Sequence, residues 1–184
     1  MKKILLGLMM IAAVSTYAQD NSKYDVLKDK KSGDVVIKGE CSFDDLLRQP
    51  TFNWLQKGSI NYKPDTAKLS YLKRHIKDYE IVVFMGTWCD DTKAILPKLY
   101  KILQLTGYPM NNYTMYGVDR AKTTKFVEHK LYKIENVPTI MLFRNNQEIG
   151  RITESLKKSV ESDLAQLIDD DVTKQERQKI QAGQ

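Results

Sequence analysis

Apolar residues along the chain form short blocks that alternate between strand-like and helix-like spacing. Continuous apolar runs, typical of strands buried on both faces, alternate with stretches in which apolar residues recur every three or four positions. The order strand, helix, strand, helix, strand, strand, helix predicts parallel strands joined by helical crossovers and a closing antiparallel hairpin. The fold class is therefore α/β, with a central mixed sheet flanked by helices. The predicted strands are 80–85, 113–118, 137–143 and 148–152, and the predicted helices are 91–105, 123–132 and 156–168.

The part before residue 80 has a weaker pattern. Residues 19–33 are polar and predicted to be mobile, residues 35–37 form a short β-prone run, and residues 51–64 are aromatic and irregular. Ser42 begins a capped helical turn that Pro50 breaks, and Asp65 caps a helix. The apolar face of that helix is formed by Leu69, Leu72 and Ile76. We divide the chain into a leader (1–18), an N-terminal extension (19–79), an α/β core (80–170) and a fraying polar tail (171–184).

The leader has the features of a secretory signal peptide. Lys2 and Lys3 precede eleven residues without charge, and small residues then lead to a cleavage site after Ala18. A helix of that length rises about 16 Å, roughly half the hydrocarbon thickness of a bilayer. We therefore expect no stable membrane anchor after cleavage and a periplasmic or secreted protein, in a compartment where thiols can be oxidised.

Composition narrows the classes of function. Hydrophobic residues make up 42% and charged residues 28% of the 184 residues, as in an ordinary folded protein. The formal net charge is +6, but basic and acidic residues are interspersed, whereas a nucleic-acid surface needs basic residues gathered on one face. We expect no nucleic-acid partner. Two cysteines and two histidines without a close cluster predict neither a disulfide scaffold nor a metal site, and no cofactor is expected.

Cys89 is the main candidate for chemistry. It lies between a predicted buried strand and a predicted helix N-terminus, in the sequence Trp88-Cys89-Asp90-Asp91-Thr92. The first N–H groups of a helix have no partner inside the helix, and the dipole places partial positive charge there. A cysteine at this position therefore forms the nucleophilic thiolate more readily than a free thiol. A lone cysteine can also be a small buried hydrophobic residue, and the residues alone leave that alternative open.

From residue 80 to about residue 168 the sequence resembles the thioredoxin family. The resemblance depends on the order and spacing of several features rather than on any one of them. They are the buried strand, the Trp-Cys pair at 88–89, Pro97 eight residues after the cysteine, Gly117-Val118-Asp119 closing the next strand, and Val137-Pro138-Thr139 opening another. The resemblance implies a thioredoxin-like fold. It is closest to secreted bacterial members that carry a Trp-Cys-x-Asp-Ser/Thr motif.

The resemblance also implies roles for individual residues. Cys89 would be the attacking thiolate and Trp88 an apolar lip beside it. Pro138 would be a cis proline lying against Cys89, and the Val137 backbone would offer strand-like hydrogen bonds to an extended peptide. Thr92 stands where dithiol members have their resolving cysteine, and its hydroxyl can donate a hydrogen bond to the Cys89 sulfur.

Three departures from the family pattern limit what it implies. Thr92 replaces the resolving cysteine, and Val83 replaces the buried aspartate that commonly helps that thiol exchange protons, so both changes indicate monothiol chemistry. Asp90 and Asp91 suit a helix N-terminus but oppose a neighbouring thiolate.

Peroxiredoxins share the fold but place a threonine at the position of Gly86, which disfavours peroxide reduction.

The second cysteine, Cys41, leaves three alternatives. It could pair with Cys89 as a disulfide partner, which needs Cα atoms within about 7 Å. It could be a buried core residue, which we favour, or an exposed free thiol. A Cys–His pair with His75 or His129 is disfavoured against surface histidines.

Two functions from different classes follow. The first is an exported monothiol protein that forms mixed disulfides with exported proteins or with small thiols such as glutathione and needs an external thiol to finish. The second is a non-enzymatic binding module that uses the groove beside Pro138, with Cys89 incidental. Retention of Trp88, Cys89 and Val137 with Pro138 favours the first, and whether the protein is an enzyme stays open.

Overall fold

A computed structural model describes residues 22–183. They form one mixed sheet with the strand order β1-β2-β4-β3-β5-β6. The predicted leader and its cleavage site after Ala18 lie outside the described residues. The strands are β1 (Tyr24–Lys28), β2 (Val35–Cys41), β3 (Glu80–Met85), β4 (Tyr113–Gly117), β5 (Thr139–Arg144) and β6 (Gln147–Thr153). The helices are α1 (Phe43–Leu47), α2 (Asn53–Asn61), α3 (Thr66–His75), α4 (Asp90–Thr106), α5 (Glu128–Leu131) and α6 (Val160–Ala182).

The sheet has one parallel pair, β3 with β4, and the other neighbouring strands are antiparallel. The alternation of elements predicted that β5 also runs parallel, and that prediction is wrong. The connection from β4 to β5 joins strands of opposite direction and so needs no full-length helix to cross the sheet. The closing hairpin is confirmed, with Asn145 and Asn146 at φ 50° and 62° in its turn.

Each face of the sheet has its own apolar core. Ile81, Val83 and Met85 of β3 contribute to the larger core, which is covered by α2, α3, α4 and α6. Val82 and Phe84 point to the other face and belong to a smaller core with Val118, Val137 and Met141. The half-buried side chains of Trp88 and Cys89 pack against this smaller core. The candidate chemistry therefore lies on the face with fewer helices.

The N-terminal extension is more regular than its sequence predicts. Residues 24–28, predicted to be mobile, form strand β1, and β2 continues to Cys41 rather than ending at residue 37. Residues 53–61, predicted to be irregular, form α2. The predicted caps are confirmed, because Ser42 and Asp45 form a reciprocal capping box and Asp65 accepts a hydrogen bond from Lys68 N–H at 2.9 Å.

Two other helices differ from their predictions. The predicted helix 123–132 is reduced to one turn, α5, and its apolar residues Phe126, Val127 and Leu131 are exposed. The last helix begins at Val160 rather than residue 156 and continues to Ala182, where a fraying tail was predicted. Within residues 22–183 the helices are too short or too polar to cross a membrane.

Candidate functional site

The turn between β3 and α4 places Cys89 at the N-terminus of a long helix. Cys89 is the N-cap residue of α4, with extended backbone at φ −87° and ψ 128°. Its N–H donates to the carbonyl of Gly86 at 2.9 Å, and its carbonyl accepts from Lys93 N–H at 3.1 Å. The first of these bonds closes the turn, and the second begins the helix. Cys89 is half-buried, so part of the residue remains accessible to solvent.

The Cys89 sulfur meets the loop before β5. Its thiol donates a hydrogen bond to the carbonyl oxygen of Val137, with 3.4 Å between Sγ and O. The Val137–Pro138 peptide bond is cis, as the resemblance implied. Residues far apart in the sequence are thus brought together as predicted, and the carbonyl before the cis proline faces the thiol.

Thr92 lies below the turn and is fully buried. Its hydroxyl oxygen accepts a hydrogen bond from Gly86 N–H at 3.3 Å. The bond expected from this hydroxyl to the Cys89 sulfur is not formed in the described structure. In this geometry the side chain of Thr92 fixes the position of the turn that carries Cys89.

Trp88 is held in place from several directions. Its indole Nε1–H donates to the carbonyl of Val118 at 3.0 Å. A Cβ built on Gly86 would lie 2.7 Å from the indole ring, so the ring occupies the space that a larger residue at 86 would need. The guanidinium carbon of Arg120 lies over the Trp88 ring, 5.1 Å from the ring centroid. The predicted apolar lip is therefore half-buried and has a cation on its ring face.

Sequence reasoning missed two contacts of this turn. One is the stacking of Arg120 on Trp88. The other is a hydrogen bond from the Thr87 hydroxyl to the carbonyl of Val35 at 2.8 Å, which joins the turn to the start of β2. Neither residue belongs to the family motif. The contact with Val35 depends on β2, of which the sequence predicted only a short part.

Cys41 is not paired with Cys89, so the alternative in which the two cysteines form a disulfide is wrong. Both cysteines are free. Cys41 pairs with Met115 of β4 and belongs to the larger core, whereas Cys89 packs against the smaller core on the opposite face of the sheet. The alternative that we favoured, a buried core residue, is confirmed, since Cys41 is 8% exposed. Burial, with the nearby Asp45 carboxylate adding to it, raises the pKa of the Cys41 thiol to about 12.

The two histidines lie elsewhere. His75 ends α3, where its ring packs 4.5 Å from the ring of Tyr71. His129 Nδ1 lies 2.9 Å from the Thr124 hydroxyl. Neither histidine contacts Cys89 in the described structure. Among residues 22–183, no group of histidine, cysteine and acidic side chains is arranged to hold a metal ion.

Comparison with solved structures gives distant matches. A protein of unknown function from Pseudomonas aeruginosa is 18% identical, with a TM-score of 0.42, over 65% of this chain and 67% of that chain. An HIV epitope scaffold is 18% identical, with a TM-score of 0.41, over 62% of this chain and 78% of its own. A yeast mitochondrial 1-Cys peroxiredoxin is 22% identical, with a TM-score of 0.36, over 59% of this chain and 92% of its own. No conclusion on function follows from similarities at this level.

The family model gives a more specific result. No curated protein sequence matches the chain. The model of the thioredoxin family matches residues 62–170, which is more than half of the chain and includes α3 and all elements from β3 onward to the first half of α6. With the strand-turn-helix around Cys89 and the cis proline facing it, this match shows that the chain belongs to the thioredoxin family.

Proposed function

We propose that the protein is an exported monothiol member of the family that exchanges thiols and disulfides through Cys89. The observation that carries this proposal is the half-buried Cys89, whose thiol lies at the N-terminus of α4 and 3.4 Å from the carbonyl oxygen before the cis proline. Thr92 stands at the fourth position of the motif, and the other thiol, Cys41, is on the opposite face of the sheet. An attack by Cys89 is therefore not followed by resolution within the chain.

The reaction has two exchange steps. In the first, the Cys89 thiolate attacks one sulfur of a disulfide, a bond forms between Cys89 and that sulfur, and the other sulfur leaves as a thiolate that takes up a proton. In the second, an external thiolate such as glutathione attacks the sulfur bound to Cys89. Cys89 then leaves as a thiolate, and the external thiol carries the substrate sulfur in a new disulfide. Each step exchanges one S–S bond for another, so electrons balance without a cofactor.

The neighbours of Cys89 suit this chemistry. Cys89 is the N-cap residue of α4, so its side chain lies beside the unpartnered N–H groups at the start of that helix. When Cys89 ionises, its sulfur no longer donates to the Val137 carbonyl, and that oxygen becomes free to accept from an extended peptide. Trp88 would form the apolar lip of the same groove, and Thr92 would hold the turn in place.

The partners follow from the proposed compartment. The leader indicates export to the periplasm or the medium, where disulfides form and persist. The substrates would then be exported proteins or small disulfides, and the external thiol a small molecule such as glutathione. This location is a proposal based on the sequence of residues 1–18.

A comparison of two serine variants tests the proposal. Glutathione disulfide is added at neutral pH to the wild type, Cys89→Ser and the control Cys41→Ser, and the adduct is followed by intact mass spectrometry. We expect wild type and Cys41→Ser to form one adduct at similar rates, because Cys41 is 8% exposed and its pKa of about 12 keeps it a thiol. Cys89→Ser should form none. Added glutathione should then release the adduct.

Two outcomes contradict thiol exchange. One is an adduct on Cys89→Ser, and the other is a wild-type adduct that forms no faster than on a free cysteine peptide. The same groove could serve a binding module without redox chemistry. In that case Cys89→Ser would still bind a peptide that the wild type binds, while Trp88→Ala, which removes the lip of the groove, would weaken that binding.

A further inference from the structure

The turn between β1 and β2 carries two carboxylates in a fixed geometry. Asp29 accepts hydrogen bonds from Lys31 N–H at 3.0 Å and Ser32 N–H at 2.8 Å, and the Ser32 hydroxyl lies 2.6 Å from Asp34. Gly33 adopts φ +76°, which allows the turn to close. The backbone N–H of Ser32, together with Arg120, lowers the pKa of Asp29 to about 2. The turn therefore presents negative charge at neutral pH.

Arg120 connects this turn to the candidate site. Its Nε–H donates to Asp29 at 2.8 Å, and its Nη2 donates to Asp34 at 3.0 Å and to the Ser32 hydroxyl at 3.1 Å. The same guanidinium lies 5.1 Å from the ring centroid of Trp88. A planar guanidinium can bind carboxylates with its edge and an aromatic ring with its face. Arg120 uses both modes at once.

The hairpin has a second attachment to the Trp-Cys turn. The Thr87 hydroxyl donates to the carbonyl of Val35 at 2.8 Å. Lys38 of β2 also binds Asp119, next to Arg120, with 2.5 Å between Nζ and Oδ2. Loss of Arg120 would thus leave the hairpin paired with β4 and attached through Thr87 and Lys38. What it would remove is the guanidinium that covers one ring face of Trp88.

We propose that Arg120 is a positioning residue through which the β1–β2 turn holds Trp88 beside Cys89 and so favours peptide disulfides over small ones. The inference rests on the proposed function, since it assigns Trp88 to the groove that binds substrate. Ion pairs of partly exposed arginines contribute little to stability, so the role of this network is to fix a side chain rather than the fold. A fixed apolar lip loses less conformational entropy when an extended peptide packs against it. A small disulfide gains little from that surface.

The first readout reports on Trp88 without reference to any reaction. Trp54→Phe makes Trp88 the only tryptophan, because the chain has two. In that background we compare Arg120→Met, Arg120→Lys and Asp29→Asn/Asp34→Asn by acrylamide quenching of fluorescence. Arg74→Met is the matched control, since Arg74 lies 6.0 Å from the ring of Tyr71 and away from Trp88. We expect quenching to rise about twofold in Arg120→Met and in the double asparagine variant, less in Arg120→Lys, and not in Arg74→Met.

The second readout measures exchange by Cys89. We expect Arg120→Met to raise the apparent KM for a peptide disulfide about fivefold while kcat stays near the wild-type value, because positioning affects binding of the peptide. The rate with glutathione disulfide should stay within about twofold of wild type. Circular dichroism and the urea midpoint establish that each variant is folded.

The outcomes separate this inference from the proposed function. If quenching of Trp88 is the same in all variants, Arg120 does not position it and the inference is overturned. Altered quenching with equal losses for peptide and small disulfides, or with no loss for either, overturns the preference for peptides. If the wild-type protein exchanges no disulfide while quenching changes as expected, the proposed function fails and the contact with Trp88 remains.

Discussion

At the scale of single residues, Glu161 shows how a charge is accommodated in the interior. It is 2% exposed, at the start of α6. Its carboxylate accepts from the Tyr62 hydroxyl at 2.5 Å and from Asp65 N–H at 2.9 Å. Burial alone would raise its pKa, but these donors outweigh burial and hold the pKa below its usual range. The residue thereby ties α6 to the junction between α2 and α3.

Removing this carboxylate should destabilise the protein. In Glu161→Ala the Tyr62 hydroxyl and the Asp65 N–H lose their acceptor, and we expect a decrease of about 2–3 kcal/mol in the free energy of unfolding. Glu161→Gln keeps one acceptor oxygen and should lose less. Urea unfolding of both variants, with the exposed Gln166→Ala as control, measures the difference. An unchanged midpoint for Glu161→Ala would show that the two donors find other partners.

At the scale of elements, α2 and α4 approach closely through two unusual residues. A Cβ on Gly58 would lie 2.7 Å from Cβ of Pro97, which is buried within α4. Glycine and proline both lower helix propensity. Here glycine allows the helices to meet and the proline ring fills the contact.

Substitution of Gly58 sets two effects against each other. Gly58→Ala gains about 1 kcal/mol of helix propensity, but the clash with Pro97 costs about 1–3 kcal/mol, so we expect net destabilisation. Gln56→Ala, on the exposed side of α2, has no clash and is the control. Thermal unfolding of the two variants shows whether Gly58→Ala raises or lowers the stability of the protein. A higher Tm for Gly58→Ala would mean that the helices separate at little cost.

The same helix shows why part of the fold is not predictable from the hydrophobic pattern. The buried face of α2 includes Gly58 and Ser59, which no apolar periodicity reveals. The end of α6 is missed for a related reason. In this polar part of the helix, Asp171 accepts hydrogen bonds from Tyr79 at 2.9 Å, Arg144 at 3.1 Å and Gln175 at 2.6 Å. Strands β3 and β5 are continuous apolar runs that are largely buried, and α4 buries apolar residues at helical spacing, so the positions of these elements are predicted closely.

The candidate site also contains residues that can be predicted from the sequence and residues that cannot. Cys89 and the cis proline are predictable because the strand, turn and helix that carry them have a strong local pattern and a family likeness. Arg120 is not, because its partners Asp29 and Asp34 lie about ninety positions earlier in a hairpin with only a weak strand signal. A polar contact over that separation depends on tertiary structure alone.

At the scale of the whole molecule, several carboxylates have folded-state pKa values below their ordinary ones. The pKa of Asp29 is about 2, and that of Glu161 is lowered. For Asp119, burial raises the pKa, but Lys38 and Thr123 outweigh it and the pKa is lowered. The unfolded chain therefore binds more protons than the folded chain in acid. Stability from these groups is fully present above the unfolded pKa, near 4, and is lost as the pH falls through the folded values.

Acid should accordingly weaken the fold. We expect the urea midpoint to be steady from pH 7 to about pH 5 and to fall progressively toward pH 2. The urea midpoint is measured against pH at constant ionic strength. In Glu161→Gln the midpoint should fall less steeply below pH 5 than in the wild type. A midpoint that rises below pH 4 would contradict the assignment of these carboxylates.

The position of the two sulfurs on opposite faces of the sheet limits what oxidation can produce. Both thiols are free and lie on opposite faces of the sheet, so a disulfide formed by the folded chain joins it to another molecule. Only Cys89 is accessible for such a link. The protein is thus univalent toward thiols: it holds one covalent partner at a time, and two molecules joined through Cys89 would form a closed pair that cannot grow into a chain of crosslinks.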